Sequence, residues 1–114
     1  WDLSFGNGDG DQPRDSSSSA IAACGFLEMS KYLPDEDAAF YTSAAQKLLA
    51  SLIRSYQVTN PAVSNGQLLH GVYAKSTPYN TCKNAGVDEC VIWGDYFFME
   101  ALTRLLKPDW NIYW

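Results

Sequence analysis

Apolar residues recur at three- and four-residue steps through the middle of the chain, and this period predicts an amphipathic helix over about residues 36–57. Asp35 or Asp37 is expected to cap its beginning, because a carboxylate accepts hydrogen bonds from unpaired backbone N–H groups. Asn60-Pro61 is expected to close it, since proline cannot continue a helix. The repeating apolar and aromatic positions are Ala38, Tyr41, Ala45, Leu48, Leu49, Leu52 and Tyr56.

The apolar segment that precedes this helix has a different pattern, because its apolar residues cover nearly every face. We predict a helix over about residues 16–33, after a loop at residues 1–15, with its start within Asp15–Ser17, where short polar side chains cap well. Glu28 is the one charge inside its apolar part. A helix of this kind is buried on several sides, so we infer that partner helices are missing from this chain.

A third helix is predicted over about residues 91–106. Asp88 and Glu89 precede it, where negative charge suits the positive end of the helix dipole, and Lys107-Pro108 ends it. The polar connection at residues 60–90 is long, and a connection of this length is usually functional or supported by other parts of a fold.

The pattern therefore predicts an all-α protein of about three helices with long ordered loops and no regular strands. The 114 residues are the size of one domain, and 46% hydrophobic and 14% aromatic residues suffice for a core. No apolar run approaches the ~20 residues of a membrane span. The net charge of −5 and the scattered basic residues argue against nucleic-acid binding.

The three cysteines, Cys24, Cys82 and Cys90, have no metal-type spacing. An odd number of cysteines favours reduced thiols and a cytoplasmic location, although a Cys82–Cys90 disulfide stays open. The first ten residues, WDLSFGNGDG, lack the basic and apolar regions of a signal peptide. The chain therefore reads as one entered partway through.

Three polar residues outside the third helix are candidates for binding, each beside a structural alternative. Asp15 is a helix cap in the simpler interpretation, but Arg14 beside it, at a helix N-terminus, also suits a carboxylate ligand. His70 is the only histidine and has no neighbours at metal-ligand spacing. It serves either a structural hydrogen bond or a substrate contact.

Four further candidates lie in the long connection and at the start of the third helix. Thr81 and Lys83 have two interpretations. They are either solvated loop residues, or they bind an anionic ester group by charge-assisted hydrogen bonds. Trp93 is core or the face on which a sugar rests. Asp95 stabilises the helix dipole or takes part in that same sugar site.

A calcium loop is the other possibility in the N-terminal region, because Asn7–Asp11 resembles the start of an EF-hand. That pattern requires Gly where Gln12 stands and Glu where Ser18 stands, and both fail. No catalytic triad, phosphate loop or paired carboxylate motif is evident either, so we expect no metal and no cofactor.

Four blocks of the sequence, taken together, indicate a family resemblance that no single residue carries. They are PRDSSSSAIAACGFLEMSKYL, LLHGVY, GVDECVIWGDYFFMEALTRLL and DWNIYW. In this order they resemble the C-terminal part of glycoside hydrolase family 88, the unsaturated glucuronyl hydrolases. The related unsaturated rhamnogalacturonyl hydrolases share the fold and are the nearest alternative.

The resemblance implies an (α/α)6 barrel, of which residues 1–114 would supply the last three or so helices. It implies an enzyme that removes 4,5-unsaturated uronic acid from lyase-generated glycosaminoglycan oligosaccharides by hydrating a vinyl ether. The family's catalytic Asp residues lie in earlier helices, so no catalytic residue is expected in this chain. A non-catalytic carbohydrate-binding or structural helical module of the same ancestry is the alternative. In either case the missing barrel helices or self-association should cover the open helix faces.

This sequence also matches part of a loop motif that occurs in the family. Members that act on sulfated disaccharides can have Ser-x-x-Ser-x-Lys between the blocks that match HGVY and GVDE. Thr81-Cys82-Lys83 matches the second half here, whereas Pro78 replaces the first Ser. We predict that Lys83→Ala in a full-length protein weakens sulfated more than unsulfated substrates; an equal loss of turnover on both would contradict this.

Overall fold

The computed structural model describes residues 13–74, 86–107 and 109–112. The described part contains three helices, α1 (Ser16–Ser30), α2 (Asp35–Ser55) and α3 (Ile92–Leu106). No strand occurs within these ranges, where β pairing is limited to two isolated bridges. The prediction of an all-α chain with three helices is confirmed.

α1 begins where the sequence predicts and ends one turn early. Asp15 is its N-cap residue, and its side chain accepts a hydrogen bond from the backbone N–H of Ser17. At the other end, the N–H groups of Lys31 and Tyr32 bond carbonyls three residues back, at 3.1 and 3.0 Å. This tightening turns the chain before Pro34, which helical spacing alone does not reveal.

α2 has no side-chain cap, so the prediction that Asp35 or Asp37 caps it was wrong. Pro34 occupies the N-cap position with extended backbone angles, and both aspartates lie inside the first turn. Their charge there still suits the positive end of the helix. The helix ends two residues before the predicted limit, because Gln57 pairs in a β-bridge with the segment that leads towards α3.

α1 lies between α2 and α3, which barely touch each other. α1 and α3 run parallel, because Ser17 meets Trp93 near their beginnings and Glu28 meets Arg104 near their ends. Gly94 permits close packing there, since a Cβ at this position would lie 3.2 Å from that of Ser17. The buried core consists of Ala20, Ala23, Cys24, Leu27, Ala45, Leu49, Leu52, Leu68, Phe98 and Ala101.

Among residues 13–74, 86–107 and 109–112, nothing covers the side of α1 that faces neither α2 nor α3. Ile21 and Met29 on this side are 42% and 36% exposed. Gly25 lies between them, and a Cβ built there would meet no atom of the described residues within 4 Å. The even apolar distribution along α1 therefore matches two covered sides and a third that no described residue covers.

Hydrogen bonds hold the connection from α2 to α3 across the beginning of α1. Leu69 donates from its N–H to the Tyr56 carbonyl at 2.8 Å, and its own carbonyl accepts from Ser16 Oγ at 2.7 Å. Gly71 and Glu89 exchange backbone hydrogen bonds of 2.7 and 3.0 Å. These contacts place the loops above the N-terminal ends of α1 and α3.

Candidate functional site

Asp15 joins the beginning of α1 to the connection above it. Its Oδ1 accepts from the N–H and hydroxyl of Ser17, at 3.0 and 2.7 Å, and from the N–H of Val72 at 3.2 Å. The helix cap that the sequence suggests is therefore present. The same oxygen also holds the loop, 57 residues away along the chain. Contact between Asp15 and a substrate stays a prediction.

Asp95 organises a different part of the connection. Its two carboxylate oxygens accept from the N–H groups of Gln67 and Leu68, each at 2.9 Å. The loop comes close enough that a Cβ on Gly66 would lie 2.7 Å from that of Cys90 and 3.1 Å from Asp95 Oδ2. Dipole stabilisation alone does not account for Asp95, because both of its oxygens are engaged by loop backbone. Its contact with a sugar also stays a prediction.

His70 forms the structural hydrogen bond that the sequence leaves open, because its Nδ1 is bonded to Asp88 Oδ1. Both residues have left-handed backbone angles, with φ of 64° and 62°. Such angles cost energy in residues other than glycine and persist where the surroundings hold them. The bridge between Gly71 and Glu89 next to them provides that support.

A cavity brings His70 together with Arg14. It is an open pocket of about 390 Å³, and Arg14, Tyr56, His70 and Asp88 line it together with Ser55 and apolar side chains. The Tyr56 and His70 rings meet edge to face at 5.5 Å. This wall combines one cation, one carboxylate and aromatic surface, a composition that can hold a polar sugar with an acidic group.

Trp93 lies on the other side of the α1 N-terminus and is 39% exposed. Its Nε1 donates to Ser17 Oγ at 3.2 Å, and its ring meets that of Tyr73 edge to face at 6.2 Å. Both aromatic residues line a recess of about 220 Å³ with Cys90 and its neighbours at the start of α3. Trp93 is thus held in a fixed position while part of its ring stays accessible.

Ser17 therefore links two candidates, Asp15 and Trp93, and a cavity links the other pair, Arg14 and His70. Thr81 and Lys83 lie outside the described residues, as do the calcium-like segment at residues 7–11 and Cys82. Cys90 carries a free thiol, and its Sγ lies 3.0 Å from the hydroxyl of Ser64.

Sequence reasoning missed a buried ionic cluster at the opposite ends of α1 and α3. Arg104 pairs with Glu28 and Glu100, and its side chain is 5% exposed. Burial would lower the pKa of Arg104, but its hydrogen bonds to Glu28 and Glu100 outweigh burial and raise it. The ring of Trp110 stacks 4.3 Å from the guanidinium carbon. The four-residue spacing of Glu100 and Arg104 was the available sequence signal.

The ionic cluster also affects the two side chains beside it. Hydrogen bonds from Lys31 and Arg104 lower the pKa of Glu28 to about 2. Burial, and next the charge of Glu100, raise the pKa of the Cys24 thiol to about 12. Cys24 is therefore an unreactive core thiol, which donates to the Phe97 carbonyl at 3.1 Å.

Within the described ranges, no three His, Cys, Asp or Glu side chains come together as a metal site would require. None of the helices there combines the length and apolar character that crossing a membrane demands.

The arrangement of these helices also occurs in known helical-barrel enzymes. The unsaturated glucuronyl hydrolase structure from Streptococcus agalactiae matches with a TM-score of 0.80 and 46% identity, over 100% of this chain and 29% of that chain. The one from Bacillus sp. GL1, which is responsible for the degradation of glycosaminoglycan, matches with a TM-score of 0.73 and 30% identity. That match covers 88% of this chain and 26% of that one. No family model matches the sequence.

Proteins that are similar in sequence are hydrolases of the same kind as the similar structures. The unsaturated chondroitin disaccharide hydrolase of Streptococcus pneumoniae is 47% identical over 116 residues, which cover 100% of this chain and 27% of that protein. The unsaturated glucuronyl hydrolase of Bacillus sp. is 34% identical over 94 residues, 81% of this chain and 23% of that protein. The chain thus spans about a quarter of the length of these relatives. The resemblance to unsaturated glucuronyl hydrolases is confirmed, and so is the fold as part of a helical barrel.

Proposed function

We propose that this chain is the C-terminal part of an unsaturated glucuronyl hydrolase that acts on glycosaminoglycan fragments. The observation that carries the proposal is the likeness along the whole chain, with 47% identity to a chondroitin disaccharide hydrolase. The reaction would be hydration of the C4=C5 double bond of an unsaturated uronic acid, after which the unstable product releases the second sugar. The residues that transfer protons would lie in the part of the enzyme beyond this chain.

Within that enzyme, we assign the exposed aromatic pair to sugar contact. Trp93 and Tyr73 are 39% and 50% exposed, and the hydrogen bond to Ser17 holds the indole in place. Aromatic faces of this kind pack against the apolar side of a sugar ring. Their position beside the α1 N-terminus supports a role in shaping the wall of the substrate cavity.

Arg14 and His70 would contact the charged and hydroxyl groups of the substrate. Their shared cavity of about 390 Å³ supports this, because it has room for a sugar unit and contains a guanidinium. Asp15 and Asp95 would act differently, by holding the loops that present these side chains. The hydrogen bonds from Val72, Gln67 and Leu68 support that role.

The proposal is tested by expressing the full-length open reading frame and following the ultraviolet absorbance of the double bond in unsaturated chondroitin and hyaluronan disaccharides. We expect the absorbance to fall with the full-length protein and to stay constant with the 114-residue chain alone. A full-length protein that binds these disaccharides without turnover would instead support a non-catalytic carbohydrate-binding module. Turnover of unsaturated rhamnogalacturonyl disaccharides alone would point to the related hydrolases.

We also propose that the protein works in the cytoplasm, on oligosaccharides and neither on nucleic acid nor on membranes. The free thiols of Cys24 and Cys90 support a reducing compartment. The net charge of −5 supports a partner other than a polyanionic nucleic acid. Cell fractionation with an antibody against the chain would test the location, and recovery in the secreted fraction would contradict it.

A further inference from the structure

The hydroxyl of Ser17 lies between a carboxylate and an indole, and chemistry fixes the direction of both of its hydrogen bonds. An indole N–H can only donate, so the Ser17 oxygen accepts from Trp93 Nε1 at 3.2 Å. The single proton of the hydroxyl is then left for Asp15 Oδ1, which lies 2.7 Å away. The three side chains therefore form a directed chain of hydrogen bonds that runs from the indole to the carboxylate.

The same carboxylate oxygen holds the other ring of the exposed aromatic pair through the backbone. Asp15 Oδ1 also accepts from the N–H of Val72 at 3.2 Å, and Tyr73 is the next residue. The rings of Tyr73 and Trp93 meet edge to face, with 6.2 Å between their centroids and 86° between their planes. One oxygen atom thus holds both segments whose rings line the recess of about 220 Å³.

Ser17 itself is too deeply buried to touch a ligand. The residue is 1% exposed, and its own N–H also bonds Asp15 Oδ1 at 3.0 Å. A Cβ on Gly94 would lie 3.2 Å from that of Ser17, so the two helices approach closely at the residue that follows Trp93. The ring of Trp93 nevertheless stays 39% exposed. Any effect of the Ser17 hydroxyl on a bound sugar must therefore act through the indole.

We propose that Ser17 is a positioning residue for the substrate, because its hydroxyl, oriented by Asp15, sets the orientation of the Trp93 indole and thereby the affinity for the sugar that rests on it. This inference rests on the proposed function, which takes Trp93 as a sugar contact. Without the hydroxyl, the indole N–H bonds water and the ring occupies several orientations. Ordering that ring when the sugar binds lowers affinity, while the groups that transfer protons are unchanged. The effect therefore falls on KM and not on kcat.

The first test measures KM and kcat of the full-length protein on an unsaturated chondroitin disaccharide. We expect Ser17→Ala to raise KM by about two- to tenfold, which corresponds to one lost neutral hydrogen bond, and to leave kcat nearly unchanged. Trp93→Phe has no N–H donor, so adding Ser17→Ala to it should raise KM little further. The same rise in KM with and without Trp93→Phe would overturn the proposal, as would an unchanged KM in Ser17→Ala.

Ser16→Ala is the matched control for that comparison. Ser16 lies in the same helical turn and is 4% exposed, but its hydroxyl bonds the Leu69 carbonyl and not the indole. Truncating it therefore removes a buried hydrogen bond of similar kind without touching Trp93. We expect the effects of Ser16→Ala and Trp93→Phe on KM to add, in contrast to those of Ser17→Ala and Trp93→Phe.

The second test follows the indole itself and needs no turnover. In full-length protein with isotope-labelled tryptophan, the Nε1–H signal of Trp93 is identified in the NMR spectrum by its loss in Trp93→Phe. We expect Ser17→Ala to speed exchange of this proton with deuterium by about two- to tenfold, and Ser16→Ala to leave it unchanged. Asp15→Ala should also speed exchange, whereas Asp15→Asn keeps an acceptor oxygen and should restore most of the protection. Equal exchange in wild type and Ser17→Ala would overturn the proposal.

These measurements separate the positioning role from the proposed function. A full-length protein without turnover would refute the hydrolase function, and the disaccharide affinity measured by calorimetry would then replace KM in the same comparison of variants. Normal turnover, with equal KM and equal indole exchange in wild type and Ser17→Ala, would refute the positioning role alone.

Discussion

The two ends of the parallel pair α1 and α3 use carboxylates in opposite ways. At their N-terminal ends, Asp15 and Asp95 accept hydrogen bonds from loop backbone and leave aromatic and cationic side chains exposed nearby. At their C-terminal ends, Glu28 and Glu100 surround the buried Arg104. The loop-organising end is therefore where we place ligand contacts, and the ionic end stabilises the helix pair.

The largest effect is expected at the ionic end. Arg104→Met would leave Glu28 and Glu100 without their shared cation, and breaking a buried pair typically costs about 3–5 kcal/mol. We expect a loss of this size in the free energy of unfolding, measured by urea denaturation. Lys31→Met is the control, because Lys31 pairs with Glu28 from an exposed position and such pairs contribute about 0–1 kcal/mol. Similar losses in both variants would mean that the buried pairs of Arg104 contribute no more than the exposed pair of Lys31.

A smaller effect is expected at the loop-organising end. Asp95→Ala removes the acceptor for two N–H groups, and leaving the one of buried Leu68 unsatisfied costs about 1–3 kcal/mol. The amides of Gln67 and Leu68 should exchange with deuterium faster in this variant, while those of α2 keep their protection. Asp95→Asn retains one acceptor and should lie between wild type and Asp95→Ala. Unchanged exchange at both amides would show that the loop does not depend on Asp95.

Acid should weaken the ionic end by protonating Glu28. Because hydrogen bonds from Lys31 and Arg104 lower the pKa of Glu28 from 4.5 to about 2 in the folded state, the unfolded state binds a proton more readily. The contribution of Glu28 is thus complete above about pH 4.5 and is lost as the pH falls towards 2. The free energy of unfolding should fall over this range, and it should fall less steeply in Glu28→Gln. Parallel pH profiles would contradict the pairing.

The sequence predicted the helices better than the contacts between them. Asp15 could be recognised as a cap because Ser17 is two residues away, whereas no local pattern links Asp95 to the N–H groups of Gln67 and Leu68, 28 and 27 residues earlier. The same holds for Trp93, whose partner Ser17 is 76 residues distant. Long-range partners depend on how helices pack, and periodicity carries no information about that.

Predictions from local sequence rules also failed where the backbone conformation took precedence over side-chain preference. Asp35 and Asp37 looked like caps, but Pro34 already holds the extended backbone angles that a cap position needs. His70 and Asp88 have left-handed angles, which are uncommon in residues other than glycine, and the bridge beside them supports these angles. The apolar pattern of α1 already indicated that partner helices are missing, and the resemblance to a family added that these helices form a barrel.

The smallest effect is expected midway between the two ends, at Gly25. A glycine inside a helix costs up to about 1 kcal/mol relative to alanine. Nothing in the described part of the chain requires it here, because an added Cβ would meet none of its atoms within 4 Å. Gly25→Ala should therefore stabilise the 114-residue chain by up to about 1 kcal/mol. In the full-length protein we expect the opposite sign, since a glycine between Ile21 and Met29 suits close approach by another helix. Stabilisation in both proteins, measured by thermal unfolding, would mean that the open side of α1 stays open to solvent.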